Sequence, residues 1–140
     1  MVTFNYENDF VIENEVSYQE WISRIIESEE FEEGEINYIF CDDEYLININ
    51  NQYLKHDTYT DIISFDYCVG NLLQGDIFVS TQRVTENAVN FKVSFENELK
   101  RVLSHGILHY CGYKDKSKEE ADVMRQKEDE KIALFHVEQQ

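Results

Sequence analysis

The chain contains no proline, which excludes collagen, polyproline linkers and PxxP ligands. Basic residues are scarce: 12 Lys+Arg stand against 29 Asp+Glu, a formal net charge of −17. A general nucleic-acid coat protein needs a broad basic face to displace counterions, so that class is excluded, with DNA as a partner and docking on anionic lipid. The three cysteines, Cys41, Cys68 and Cys111, are too scattered for a disulfide framework or a cysteine-based zinc site. They read as buried or half-buried thiols in a reducing cytosol. No apolar run approaches the ~18 residues of a membrane span. The N-terminus, MVTFNYENDFVIENE, lacks the basic and apolar regions of a signal peptide. A cytoplasmic protein without a membrane partner is expected.

What is present suits one domain over residues 1–140, with 42% hydrophobic and 14% aromatic residues to build a core. The charge is uneven. Residues 1–54 hold 14 acids and one base, Arg24, for −13; residues 55–140 hold 15 acids and 11 bases, for −4.

The pattern predicts a β-α-β-α-β-β-α-α-α order. Val2–Tyr6 alternates as a strand. Tyr18, Trp21, Ile22, Ile25 and Ile26 have helical spacing, with Ser17 and Glu20 as a capping box. The acids Glu27, Glu29, Glu30, Glu32, Glu33 and Glu35 read as a solvated helix end and turn. A strand over 35–41 follows, then a helix over 43–54 capped by Asp42. Strands over 61–67 and 75–81 flank a turn at Gly70-Asn71. Residues 82–92 are weakly helical. Ser94 starts a stronger helix that Gly112 ends, and a Ser117/Glu120 capping box opens a helix over 118–136. The fold class is α/β (α+β): a small mixed β-sheet of about four strands with helices packed on it.

The chemistry lies in His105-Gly-Ile-Leu-His109-Tyr-Cys-Gly-Tyr-Lys-Asp115. Two histidines four apart in a helix share one face, one turn apart, where they can hold one metal ion. Gly112 breaks the helix, and Asp115 can return a third ligand. Three protein ligands leave a position for water, the plan of a catalytic zinc site. Helical zinc proteases place Glu beside the first histidine as general base. Here that position is Gly106, which speaks against a small zinc peptidase and leaves room for a large substrate or a packed strand.

These residues resemble the YbeY family, bacterial single-strand-directed endoribonucleases and rRNA maturation factors with a bound zinc. His105, Gly106, Leu108, His109, Gly112 and Tyr113 fall in register with its H-G-x-L-H-x-x-G-Y-D-H signature. Thr60–Phe65 is similar to its T-D-V-L-S-F strand and Gly75–Ser80 to its G-D-I-x-I-S strand. Asn50, Tyr53 and Asp57 fit its L-N-x-x-Y-R-G-K-D segment; Glu120, Ala121, Met124 and Glu128 fit its tail. The resemblance implies a zinc-hydrolase-like domain holding one Zn²⁺ on His105, His109 and Asp115. It implies cleavage of rRNA precursors on ribosomal particles, with basic ribosomal proteins facing the acidic half.

Two departures stand out. The family's third zinc histidine falls on Asp115, which adds a negative charge and lowers the Lewis acidity of the site. The family Arg falls on Leu54, with Lys55 and His56 following. No side chain is marked as the general base; Lys55, His56, Asp57, Asp61 and Asp76 are the cleft candidates. Arg83 reads as a surface residue or a phosphate contact. A ribosome-assembly factor that does not cleave, with a structural metal, is the alternative to the nuclease.

Overall fold

Alternation and helical spacing resolve into four strands and five helices. The structure, a computed structural model, describes residues 1–54 and 60–138. In chain order these are β1 (Val2–Tyr6), α1 (Glu15–Ser28), β2 (Glu32–Cys41), α2 (Asp43–Ile49), β3 (Ile62–Asp66), β4 (Leu72–Ser80), α3 (Thr81–Phe91), α4 (Phe95–Tyr110) and α5 (Lys118–Glu138). A π-helical turn, Asn50–Leu54, continues α2, so the described residues are helical over the 43–54 that the sequence predicts. The expected element order is the observed one.

The sheet order is β1-β2-β4-β3. β1 with β2 and β2 with β4 are parallel; β3 pairs antiparallel with β4 through the expected hairpin. Strand parity decides what each face does. Ile36, Tyr38 and Phe40 of β2 and Leu73, Ile77 and Val79 of β4 are buried in the main core, against Trp21, Ile22 and Ile25 of α1 and Leu103 and Ile107 of α4. A smaller cluster of Cys41, Leu46 and Ile63, with Phe65 and Phe78 beside it, packs α2 on the sheet.

Buried polar groups on this core are satisfied, as they must be to avoid a desolvation penalty. Trp21 Nε1 donates to the Lys131 carbonyl at 2.6 Å and Tyr38 Oη to the Leu103 carbonyl at 2.8 Å. Tyr110 Oη donates to the Phe65 carbonyl at 2.7 Å, tying α4 to β3. At Gly106 an added Cβ would lie 3.1 Å from Ile77 and 3.2 Å from Ile62. The space at Gly106 is therefore taken by packed strands, not left for substrate.

Three expectations need correction. α1 begins at Glu15 with Asn14 as its N-cap residue, so Ser17 lies inside the helix, where its neighbour Tyr18 already packs in the core. β2 starts at Glu32, because its pairing with Leu72 and Leu73 extends the strand into the acidic run. Within that run Glu29 is not solvated: its side chain is 10% exposed and meets Lys131 at 2.7 Å. No helix among the described residues is long and apolar enough to cross a membrane.

Candidate metal centre

The site is built on the last two turns of α4. Ser94 Oγ accepts from Asn97 N at 3.0 Å and starts the helix. Gly112, at φ +103°, takes a backbone conformation that costs other residues energy and turns the chain back. Ser117 Oγ accepts from Glu120 N at 3.1 Å, and Glu120 Oε1 accepts from Ser117 N at 3.1 Å, so the expected capping box opens α5.

His105 and His109 lie side by side, with Nε2 atoms 2.9 Å apart. Asp115 Oδ2 is 3.2 Å from His105 Nε2 and 3.5 Å from His109 Nε2. One donor atom from each of the three lies within 4.8 Å of the others, a spacing that can hold one metal ion. The rings are half-buried at the helix edge, with side chains 21% and 33% exposed, so the centre is open to solvent on one side.

Each ring is oriented from behind. His105 Nδ1–H donates to Glu128 Oε2 at 2.5 Å, and Glu128 in turn accepts from Arg101 Nη1 at 3.0 Å. His109 Nδ1–H donates to the Tyr113 carbonyl at 2.9 Å. With the hydrogens on Nδ1, as these two acceptors favour, both Nε2 lone pairs face each other and Asp115. A shared cation, either a proton or a metal ion, satisfies that arrangement, and outward hydrogen bonds of this kind are what metal-binding histidines use. Burial alone would lower the His105 pKa. The Glu128 hydrogen bond and the charges of Glu128, Asp115 and Asp61 outweigh it and hold the imidazole above its ordinary value.

A cleft of about 270 Å³ opens beside His105 and Asp115, with Asp61 and Asn87 on its wall. Burial pushes the Asp61 carboxyl above the usual carboxylate range, against the opposing pull of His105. Asp76 is not at the cleft. Its carboxylate accepts from Asn37 Nδ2 at 3.0 Å, and its neighbours Gly75 and Ile77 take the buried, helix-facing positions of β4. Lys55, His56 and Asp57 lie outside the described residues. Arg83 is held by Asp43 at 3.2 Å and Glu86 at 3.0 Å rather than standing ready for phosphate. Of the basic residues in the second half, Arg101 and Arg125 line the cleft, whereas Lys100 sits 4.0 Å over the Phe135 ring.

Comparison with known proteins decides the family. The family model described as Endoribonuclease YbeY matches residues 3–136. The chain belongs to the YbeY endoribonuclease family. The Endoribonuclease YbeY of Flavobacterium johnsoniae is 68% identical over 139 residues, covering 99% of this chain and 100% of that one. That of Christiangramia forsetii is 62% identical over 138 residues, covering 99% and 96%. A solution structure of a Thermotoga maritima protein, 28% identical, covers 98% of this chain and 93% of its own with a TM-score of 0.66.

Sequence reasoning on the YbeY motif reached the two histidines and Asp115 but not their supports. Glu128 entered only as a match to the family tail, and Glu29 only as one acid of a run. Neither has a spacing signal, because each acts across a helix–helix contact.

Proposed function

We propose that this protein is a zinc-dependent, single-strand-directed endoribonuclease of rRNA maturation. It works in the cytoplasm as one domain, on rRNA precursors within ribosomal particles. The observation that supports this most is the pair of Nε2 atoms converging with Asp115, both tautomers set by outward hydrogen bonds, in a member of this family.

His105, His109 and Asp115 would hold the ion. When bound there, zinc supplies Lewis acidity toward a phosphoryl oxygen and lowers the pKa of a coordinated water. Glu128 and Tyr113 keep the imidazoles aimed. Asp61, half-buried at the cleft wall with a raised pKa, is the side chain suited to take a proton from the attacking oxygen. Leu54 stands at the family Arg position, so phosphate binding falls to Lys55, His56 or Arg125. A peptidase is disfavoured: the position after His105, where helical zinc proteases carry their Glu base, is Gly106, packed against Ile77 and Ile62.

The test is the His109→Ala variant, which is expected to lose both zinc and RNA cleavage. Retention of full cleavage by that variant would remove the proposal. Affinity for free RNA is expected to be weak and salt-sensitive, since the acidic half repels stray backbone.

A further inference from the structure

The cleft beside the metal ligands is lined by two chemically different groups of side chains. One group is His105 and Asp115. The other is Phe91 at the end of α3, with Val102 and Asn87. Phe91 is 54% exposed, unusual for a large aromatic side chain, and has no ring contact among the described residues. Lys92, at φ 58°, ends α3 in a left-handed turn immediately after it and fixes where the ring leaves the helix.

Charge decides what that second group can take. The cleft carries four acids, Asp61, Glu98, Asp115 and Glu128, against Arg101 and Arg125. Arg101 is already committed to Glu128 at 3.0 Å and Asp129 at 2.7 Å. A phosphate away from the metal ligands would meet an excess of negative charge. A flat, neutral, aromatic ligand would not. Asn87, whose Nδ2 donates to Asp61 Oδ2 at 3.4 Å, keeps its carbonyl oxygen and second N–H for a base edge.

We infer that Phe91, Val102 and Asn87 form a nucleobase subsite, in which one unpaired base of the substrate stacks on Phe91. The inference rests on the nuclease reading above and deepens it. A base inside a duplex has both faces covered, so a stacking platform next to the metal ligands selects single-stranded RNA. The scissile phosphate is then delivered to the ligands by the base that Phe91 holds.

The test compares wild type, Phe91→Ala and Phe91→Trp, all loaded with zinc and checked for metal content. On an unstructured oligoribonucleotide, Phe91→Ala is expected to raise KM about tenfold with kcat within about twofold, and Phe91→Trp to keep the wild-type KM. In parallel, 2-aminopurine fluorescence in a 2′-O-methyl oligonucleotide, checked to stay intact over the measurement, reads stacking without chemistry. Quenching by wild type that is lost in Phe91→Ala supports the subsite. An unchanged KM and unchanged quenching in Phe91→Ala overturn it, as does a defect that Trp fails to restore. Wild type that stacks the probe without cutting RNA defeats the nuclease reading and leaves the subsite standing.

Discussion

The Tyr113 hydroxyl donates to Glu29 Oε1 at 2.7 Å, so the residue that caps the C-terminus of α1 holds the loop that orients a metal-site histidine. The Tyr113 carbonyl accepts from His109 Nδ1 at 2.9 Å. Glu29 is itself gripped by α5, through Lys131 at 2.7 Å and Lys127 at 3.3 Å. Tyr113→Phe keeps the carbonyl and removes the tether. It is expected to speed zinc loss to a chelator several-fold and to alter the visible spectrum of the cobalt-substituted protein. Spectrum and off-rate identical to wild type would show that Glu29 has no hold on His109.

Glu128 is the closer support. Removing an outer partner of a metal-binding histidine typically costs about 10–100-fold in metal affinity. Glu128→Ala is expected to fall in that range by competition with a chromophoric chelator. It also removes one of the two carboxylates on Arg101, whose side chain is only 14% exposed and which keeps Asp129 at 2.7 Å. Glu128→Gln, which keeps an acceptor for His105 Nδ1, is expected to lose less.

The pH dependence of metal binding follows from His105. A proton on Nε2 competes with the metal, and the His105 pKa lies above its ordinary 6.5. Affinity is therefore expected to start falling on acidification while the pH is still above 6.5. Removing the Glu128 charge should move that onset down. An onset below 6.5 in wild type would contradict the assignment.

Stability against acid has a separate source. Burial alone would raise the Glu29 pKa, but the Lys131 and Tyr113 hydrogen bonds and the Lys131 and Lys127 charges leave it below its ordinary 4.5. A depressed carboxyl contributes stability above its unfolded pKa and loses it as pH falls through the folded value. Glu29→Ala, which leaves the 2%-exposed Lys131 with only the more exposed Glu130 as a counter-charge at 2.8 Å, is expected to cost about 1–3 kcal/mol at neutral pH. Denaturant melts of the two proteins should converge below pH 4.5; a gap that persists there would point to packing rather than charge.

Much of this was legible in the chain. The i, i+4 spacing placed both imidazoles on one face of α4, and the glycine break brought Asp115 back, since both follow from local backbone geometry. Asp76 reads as a cleft candidate in the sequence, and it is the register of β4 that turns it away from the buried side of Gly75 and Ile77. Ser117 and Glu120 declared their capping box. What stayed hidden is tertiary. Ser17 has the composition of a cap, yet the packing of Tyr18 starts the helix earlier. Glu29 looks like its acidic neighbours until α5 lays Lys131 beside it. Glu128 lies 23 residues from His105 and is recognisable as its partner only once α4 and α5 pack.

The central claim is that RNA cleavage depends on one ion held by His105, His109 and Asp115. The most direct measurement strips the protein with a chelator, follows cleavage of an unstructured oligoribonucleotide in a single turnover, and returns zinc in measured equivalents. Activity should vanish on stripping and return in full at one equivalent of zinc per chain. Undiminished cleavage by metal-free protein would contradict the account.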